Sequence, residues 1–260
     1  MSAPSIAAPD LGTRHLVTEV RGRVLHVRID RVERRNSFTQ DMYRGIKRAA
    51  IWADGEPELD AVCLTGTDDW FGAGGDMAGK AEDSVGLAVE WDPTDNFPFR
   101  HIDRCSKVWV ASINGVCVAG GLDLVLHCDV AIASDHARFR VPELLRGIPD
   151  VFMTDRLVAA VGLARARYLF FTAEEIDAHE AAAIGLVGKV VAHDQLGSAT
   201  ERVLDAIGRT APTARSVIKR EVNRRFPVHN VSLFLDAMKH PEMAEGMRAF
   251  LEKRPADWPR

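Results

Sequence analysis

Two glycine-rich segments, each ending in an acidic residue, constrain this chain more than any other feature of its sequence. The first runs from Phe71 to Asp76 and the second from Asn114 to Asp123, and each follows an apolar β-branched stretch. Glycine lets a backbone turn sharply and approach a ligand closely. The second segment opens a predicted helix, whose first turn adds unpaired N–H groups and partial positive charge. Two such turns facing each other predict two backbone donors aimed at one oxygen that gains negative charge during a reaction.

The overall composition narrows the classes of protein to consider. With 260 residues, 47% hydrophobic and 27% charged, the chain is long enough to bury the core of one large globular domain. A net charge of −4 argues against a nucleic acid as the main partner. No apolar run approaches the roughly 18–20 residues that span a bilayer, so we expect no membrane partner. The four cysteines form no C-x-x-C pair, which favours buried thiols in a reducing cytoplasm.

Strand and helix patterns alternate through most of the chain, and helices dominate its last third. Residues 13–195 contain short β-branched segments separated by helical spacing, which predicts an α/β core with mostly parallel strands. Residues 196–260 form a predicted helical region interrupted by prolines, and residues 1–12 are expected to be a flexible tail. The clearest predicted strands are Val24–Ile29, Ala61–Thr65, Val108–Ile113 and Val130–Ala133, and the clearest predicted helix is Thr39–Trp52.

Six segments, taken in order, carry a resemblance to a known family. They are Arg34–Phe38 with Met42, Phe71–Met77, Asn114–Asp123, Phe139–Pro149, Gly185–Val187 and Ala249–Arg254. In this order they resemble the motifs of the crotonase superfamily, the enoyl-CoA hydratase/isomerase group, from about Val17 to Trp258. The resemblance implies a crotonase-like spiral of β-β-α turns over residues 13–195. It also implies that the helical C-terminal region is a trimerisation region, so we expect a homotrimer or a dimer of trimers.

The resemblance further implies an acyl-CoA thioester as substrate, with coenzyme A entering as part of it and with no permanently bound cofactor or metal. Gly75 and Gly120 occupy the positions of the two oxyanion-hole amides; the alternative is that they only make tight turns. Glu143 matches the glutamate that handles the proton at the α-carbon of the substrate in hydratases, and a solvated loop glutamate is the alternative. Asp123 stands where hydratases carry their first glutamate, 20 residues earlier in the chain. Because Asp is one methylene shorter, Asp123 either takes part in catalysis or merely caps the helix start.

The chain departs from the family after Pro149, where hydratases usually have Gly-x-Gly-Gly-Thr and this chain has Asp-Val-Phe-Met-Thr. We expect Asp150 and Phe152 to reshape the acyl pocket, together with His101 from the variable acyl-side region. Asp150 is alternatively the N-cap of the next helix. The departure leaves room for hydrolysis or retro-Claisen chemistry on a bulkier acyl group.

By the same resemblance, three sets of residues are expected to bind the CoA portion of the substrate. They are Arg34, Asn36 and Ser37 along the phosphopantetheine and phosphates, Ala73, Gly74, Asp76 and Met77 on the adenine side, and Phe250 and Lys253, from a neighbouring subunit, over the nucleotide end.

Hydration of a 2-enoyl-CoA through a stabilised thioester enolate is the function that these residues favour. A double-bond isomerase and a CoA-ester C–C hydrolase using Asp150 are the alternative enzymes. A relative that binds acyl-CoA or RNA without catalysis is the non-enzyme alternative, since Lys219, Arg220, Arg224 and Arg225 form a small basic patch. The chain has no H-E-x-x-H, no G-x-S-x-G and no P-loop, which excludes zincins, serine hydrolases of that type and P-loop NTPases.

Overall fold

Two β-sheets form the core of the structure, a computed structural model that describes residues 6–76, 97–227 and 229–258. The larger sheet has six strands in the order β1 (Leu16–Arg21), β2 (Val24–Ile29), β3 (Ala61–Thr65), β5 (Val108–Ile113), β7 (Val130–Ser134) and β10 (Lys189–Val191). The smaller sheet has four strands in the order β4 (Trp70–Gly72), β6 (Val116–Val118), β8 (Arg138–Arg140) and β9 (Ile176–Asp177). The β1–β2 and β8–β9 pairs are antiparallel, and the other pairs in both sheets are parallel. The mostly parallel α/β core predicted from the sequence is therefore confirmed.

The helices lie between and after these strands. Those within the core are α1 (Gln40–Gly55), α2 (Phe99–Arg104), α3 (Gly120–His127), α4 (Thr154–Val161), α5 (Leu163–Thr172) and α6 (Ala178–Ala183). Those of the C-terminal region are α7 (Leu196–Gly208), α8 (Pro212–Asn223), α9 (Val231–Ala237) and α10 (Pro241–Glu252). Pro212 and Pro241 begin α8 and α10, where the missing proline N–H is not needed for an intrahelical bond. No helix of the described ranges is both long and apolar enough to cross a membrane.

The chain alternates between the two sheets, which produces the expected spiral of β-β-α turns. β5 lies in the large sheet, β6 in the small one, and α3 follows; β7 and β8 repeat the arrangement before α4. As a result β4 and β6 pair side by side in parallel, with Trp70 opposite Val116. Gly74 and Gly75 come shortly after β4, and Gly120 and Gly121 shortly after β6, so the topology brings these glycines to the same edge of the small sheet.

Part of the expected N-terminal tail is held against the core. Leu11 is only 2% exposed and packs in the main core. The guanidinium of Arg48 donates to the carbonyl of Leu11 at 2.8 Å, and the hydroxyl of Thr18 donates to the carbonyl of Pro9 at 2.9 Å. Buried apolar surface and hydrogen-bonded carbonyls hold a segment in place, so Pro9 and Leu11 are anchored although they fall within the flexible tail expected at residues 1–12.

The C-terminal helical region packs on the large sheet through buried polar contacts. The hydroxyls of Thr200 on α7 and Ser112 on β5 are 2.8 Å apart. On α8, Arg215 pairs with Asp60, and the ammonium of Lys219 lies 2.7 Å from a carboxylate oxygen of Asp129. Lys219 is only 6% exposed, so the surface basic patch considered for RNA loses one of its four members.

Candidate active site

The two glycine-rich segments meet at a junction that admits no extra side chain. Gly74 has φ +87°, and a Cβ added there would lie 2.5 Å from the Cβ of Ala119. A backbone bridge fixes the first segment, because the amide of Phe38 donates to the carbonyl of Gly74 at 2.8 Å and the amide of Asp76 donates to the carbonyl of Phe38 at 2.9 Å. Only glycine at position 74 allows this close approach.

The amides of Gly75 and Gly120 lie side by side at this junction. The bridge to Phe38 is made by the carbonyl of Gly74 and the amide of Asp76, so the amide of Gly75 takes no part in it. Gly120 is the first residue of α3, where an N–H has no intrahelical partner. A Cβ built on Gly120 would lie 3.8 Å from the nitrogen of Gly75, whereas one built on Gly75 would meet nothing within 4 Å. The structure thus brings together the two glycines that the sequence singled out, beside open space.

Ala119 holds the Gly120 amide in this orientation at a conformational cost. Its φ of 55° and ψ of −134° are rare for a residue with a side chain. Such conformations cost about 1–3 kcal/mol and persist where the surroundings enforce them, often at functional sites. Here the strained residue immediately precedes the first N–H of α3.

Three carboxyl groups gather beside the two amides. Asp123, on the first turn of α3, is 2% exposed, and Glu143, which begins a short 3-10 helix at Glu143–Arg146, is 5% exposed. Asp150 hydrogen-bonds to Asp123 and also accepts from the amide of Phe152 at 2.9 Å. Within the described part of the chain, Oδ1 of Asp123 and Oε2 of Glu143 are buried and have no hydrogen-bond partner. Buried carboxyl oxygens of this kind are available to a ligand or a water molecule.

The environment raises the pKa of all three carboxyl groups. Burial raises the pKa of Glu143 to about 8, and the charge of Asp150 adds to the effect. Burial also raises the pKa of Asp123 well above its ordinary value, reinforced by the charge of Asp150 and the hydrogen bond to it. Burial raises the pKa of Asp150 as well, but the bonds from Asp123 and from two backbone amides lower it. Of the two, Asp123 therefore holds a proton more readily than Asp150.

Aromatic rings surround the carboxyl groups and form one continuous cluster. Phe97 lies between Tyr43 and Phe152, with ring centroids 5.0 Å and 4.9 Å away. Phe99 stands 5.4 Å from both Phe97 and Phe152. Phe152 is 5% exposed and sits in the cluster, and its amide donates to Asp150.

The structure does not bring His101 together with the three carboxyl groups, and its place in the acyl pocket stays a prediction. On α2 the side chains of Phe99 and Ile102 face the core, and His101 lies on another face of the helix. There it lines a cavity of about 120 Å³ against α1, together with Ala50 and Asp54. Residues two apart on a helix point in different directions, so Phe99 and His101 contact different parts of the molecule.

Asn36 has a structural role in place of the expected contact with CoA. Its side chain is fully buried, donates to the carbonyls of Thr67 and Trp70, and accepts from the amide of Arg31. These bonds support a backbone with φ +53° at Asn36 itself. With no exposed surface, the side chain cannot line a ligand path.

The other residues expected on the CoA side lie around the same loop. Arg31 donates to the Ser37 hydroxyl at 3.0 Å and pairs with the carboxylate of Asp76 at 2.8 Å. Arg34 is exposed, and Ala73 is half-buried next to the buried Gly74. Arg31 therefore organises two of the expected binding residues, a role that the sequence did not reveal. Met77 lies outside the described residues.

The C-terminal helix α10 packs against the short helix that carries Glu143. Phe250 is 46% exposed, and the guanidinium of Arg146 in the same chain lies 4.4 Å from the centre of its ring. Lys253 is exposed and caps the helix with φ 55°. A Cβ added to Gly147 would lie 2.9 Å from the backbone of Glu242 in α10. Both residues expected over the nucleotide end thus sit at the end of a helix that contacts the Glu143 segment of its own chain.

Replacing Gly246 by Ala is expected to loosen this packing. The new Cβ would lie 2.5 Å from the backbone of Arg146, so one of the two segments must move. We expect the free energy of unfolding to fall by about 1–3 kcal/mol, and activity to fall because Glu143 lies on the displaced segment. Urea unfolding and steady-state kinetics measure both. Gly55→Ala, at the exposed end of α1 with nothing within 4 Å, is the matched control; equal losses in the two variants would contradict the contact.

Tyr43 and Phe97 belong to the site but were not found from the sequence. Tyr43 lies on the buried face of α1, four residues after the N-cap Thr39 and next to Met42. Its position on that face was the one available signal, but a buried aromatic at helical spacing more often indicates core than site. Phe97 lies beside an irregular segment without periodicity, so the sequence offered no signal for it.

Comparison with known proteins agrees with this geometry. A family model described as enoyl-CoA hydratase/isomerase matches residues 19–260. The chain is 31% identical over 249 residues to a short-chain-enoyl-CoA hydratase of Clostridium acetobutylicum, covering 92% of this chain and 95% of that protein. It is 32% identical over 256 residues to mevalonyl-coenzyme A hydratase sidH of Aspergillus fumigatus, covering 94% of each.

A solved structure is similar over nearly the whole chain. The crystal structure of carnitinyl-CoA hydratase from Mycobacterium avium matches with a TM-score of 0.84 at 27% identity, covering 95% of this chain and 98% of that one. Sequence motifs, spiral topology and relatives therefore agree. The chain belongs to the enoyl-CoA hydratase/isomerase family and is an enzyme of that family.

Proposed function

We propose that this enzyme adds water across the double bond of a 2-enoyl-CoA thioester. The observation that carries the proposal is the pair of buried, unpartnered carboxyl oxygens, Oδ1 of Asp123 and Oε2 of Glu143, in a cluster beside the amides of Gly75 and Gly120. Two carboxyl groups can hold a water molecule and handle its protons, while two amides stabilise charge on the thioester oxygen. The named relatives that act as hydratases support the same chemistry.

In the proposed reaction the thioester oxygen accepts hydrogen bonds from the Gly75 and Gly120 amides. Their donation draws electron density from the β-carbon, which water attacks. As the new C–O bond forms, the thioester becomes an enolate whose charge lies on the oxygen between the amides. Glu143, neutral near pH 7 because its pKa is about 8, delivers its proton to the α-carbon and collapses the enolate. The proton lost by water goes to the carboxyl groups of Asp123 and Asp150.

Asp150 supports the shorter Asp123 as part of one base. In the hydrogen-bonded pair Asp123 carries the proton and Asp150 the charge. Water can therefore give its proton to the unpartnered Oδ1 of Asp123 while Asp123 passes its own proton to Asp150. Two backbone amides hold Asp150 in place for this relay. The pair has one negative charge to neutralise, as a single catalytic carboxylate would.

Replacing Asp150 by Asn is expected to lower kcat for hydration about 100-fold, within the range of lost general-base catalysis. The Asn amide would donate to Asp123 and stabilise its carboxylate, which lowers the pKa of that group and makes it a weaker base. The acidic limb of the kcat/KM profile is expected to move to lower pH. Asp155→Asn, at an exposed position on α4, is the control. Unchanged kcat and an unchanged pH profile in Asp150→Asn would exclude the relay.

Double-bond isomerisation is the second candidate, and the proton on Asp123 favours it. A protonated carboxyl and a second carboxyl facing one acyl chain can remove a proton from one carbon and return it to another. This reaction consumes no water. The mass of the product therefore distinguishes it from hydration.

We infer that the enzyme works as a homotrimer or a dimer of trimers with an acyl-CoA as its only other partner. Large apolar side chains are exposed on α5, where Phe171 is 75% exposed, and at Leu233 and Leu251, which are 57% and 60% exposed. Burial of these side chains between subunits would remove their apolar surface from water and so favour assembly. Sedimentation equilibrium tests the assembly, and a monomer at micromolar concentration would contradict it.

The test of the proposed function follows the loss of the conjugated enoyl-thioester absorbance with short, long and aromatic 2-enoyl-CoAs. No cofactor or metal is added. We expect turnover of at least one member of the panel. Constant absorbance with every member would contradict hydration.

A further inference from the structure

Tyr43 is rigidly packed in the middle of the site, although nothing in the proposed reaction so far uses it. It lies on α1 and is 7% exposed. Its ring stacks on Phe38 at 5.2 Å and meets the edges of Phe97 and Phe99 at 5.0 Å and 6.3 Å. Three aromatic neighbours fix the direction of the ring and therefore the position of its hydroxyl.

The hydroxyl of Tyr43 lies directly against Gly120. A Cβ built on Gly120 would collide with this hydroxyl and would lie 3.3 Å from Cζ of the same ring. The nitrogen of Gly75 is 3.8 Å from that same point. The phenol hydroxyl and both amides of the expected oxyanion hole therefore border one small space, and the absent side chain of Gly120 makes room for the hydroxyl.

The phenol keeps its proton in this position. Burial raises the pKa of Tyr43 well above its ordinary value, and interactions with the neighbouring carboxyl groups of Asp123, Asp150 and Glu143 raise it further. A neutral phenol is a hydrogen-bond donor that brings no negative charge to the site. This matters because the charge on Asp150 opposes the formation of a second negative charge on the thioester oxygen nearby.

We propose that the Tyr43 hydroxyl is a third hydrogen-bond donor to the thioester oxygen, beside the amides of Gly75 and Gly120. This role rests on the proposed function, since it needs a substrate oxygen that becomes an enolate. A donor held in place before the reaction stabilises developing charge without reorganisation. The carboxylate of Asp150, which stands where hydratases usually have glycine, repels the enolate. The third donor offsets this repulsion.

Tyr43→Phe tests the proposal because it removes the hydroxyl and keeps the ring packing. The probe is a β-ketoacyl-CoA, whose enolate has its own ultraviolet band and resembles the charged intermediate. A saturated acyl-CoA, which forms no enolate, reports binding of the uncharged thioester. Tyr168→Phe is the matched control, because Tyr168 is the other tyrosine of the chain and is 47% exposed on α5.

We expect Tyr43→Phe to weaken binding of the β-ketoacyl-CoA enolate about 100-fold, the lower end of the effect of losing one oxyanion donor. Affinity for the saturated acyl-CoA should change less than about threefold, and kcat for hydration should fall with the enolate affinity while KM stays nearly constant. Tyr168→Phe should leave all three quantities unchanged.

Two results would overturn the role of Tyr43. Enolate binding by Tyr43→Phe as tight as that of the wild type means that the hydroxyl does not touch the oxygen. Equal weakening of both ligands means that the side chain serves packing alone. The enolate band does not depend on turnover. Suppose that the wild type hydrates no enoyl-CoA but Tyr43→Phe still binds the enolate more weakly than the wild type does. Hydration would then be refuted, whereas the role of Tyr43 as a third donor would stand.

Discussion

Replacing Glu143 by Gln is expected to lower kcat for hydration about 1000-fold, in the middle of the range for lost general acid–base catalysis. Gln keeps the shape of the side chain and removes the proton that Glu143 delivers to the α-carbon. KM should change little, because the contacts to CoA are made elsewhere. Steady-state kinetics at pH 7 measure the effect. The control is Glu175→Gln at an exposed position; a Glu143→Gln enzyme as active as the control would show that another group moves this proton.

The same residue has a pH signature. Glu143 acts in its protonated form, so kcat/KM should fall as the pH rises through about 8. Stability should follow the same direction. The carboxyl holds its proton in the folded state up to about pH 8, whereas the unfolded chain releases it near the ordinary value of 4.5. The folded state therefore binds more protons across this window, and stability is lost as the pH rises.

Glu143→Gln lacks this titrating group, so the difference in stability between the variant and the wild type reports the ionisation of Glu143. Its melting temperature should gain on that of the wild type as the pH rises from about 5 to about 8. Thermal unfolding of both proteins across that range measures the difference. Parallel curves would mean that the carboxyl is ionised in the folded protein near its ordinary pKa.

Replacing Gly120 by Ala is expected to lower kcat about 1000-fold, the upper end of the effect of disabling an oxyanion donor. The added methyl group would collide with the Tyr43 hydroxyl and stand 3.8 Å from the Gly75 nitrogen. It must displace the ring, the amide of Gly120, or both. Gly197→Ala is the matched control, since Gly197 also lies in the first turn of a helix but has nothing within 4 Å. That control should retain full activity and gain up to about 1 kcal/mol in stability.

A double variant separates the collision from any other defect. If the methyl group acts by striking the hydroxyl, Gly120→Ala should cost less in the Tyr43→Phe background than in the wild type. Such non-additivity is expected for groups in contact. Additive losses, or a Gly120→Ala enzyme with wild-type kcat, would contradict the packing of Tyr43 against Gly120.

The sequence predicted the large sheet and the principal helices well, because their segments are long enough to show periodicity. It missed β1 of the large sheet, and it missed β4 and β6 of the small sheet, which have three residues each and lie next to the glycine turns. Yet the pairing of these two short strands is what brings Gly75 to Gly120. The resemblance of motifs supplied the residues of the site, and only the topology explains their proximity.

Side-chain direction was the second limit. The sequence suggested His101 for the acyl pocket, but it could not show that Phe99 and Ile102 are the residues of α2 that face the core. It placed Asn36 on the CoA path, but the side-chain amide of Asn36 donates hydrogen bonds to backbone carbonyls of a neighbouring loop. Tyr43 was overlooked because helical spacing identifies a buried face without saying which residues on it border a site. Tertiary contacts decide each of these cases.

The most direct test is to incubate the wild type with a panel of 2-enoyl-CoAs in deuterated water and to analyse the acyl products by mass spectrometry. We predict the gain of one water, with a single non-exchangeable deuteron at the α-carbon, on at least one member of the panel, and its loss in Glu143→Gln. Products of unchanged formula that carry deuterium would establish isomerisation in its place. Unchanged, unlabelled substrates throughout the panel would contradict the proposed hydration.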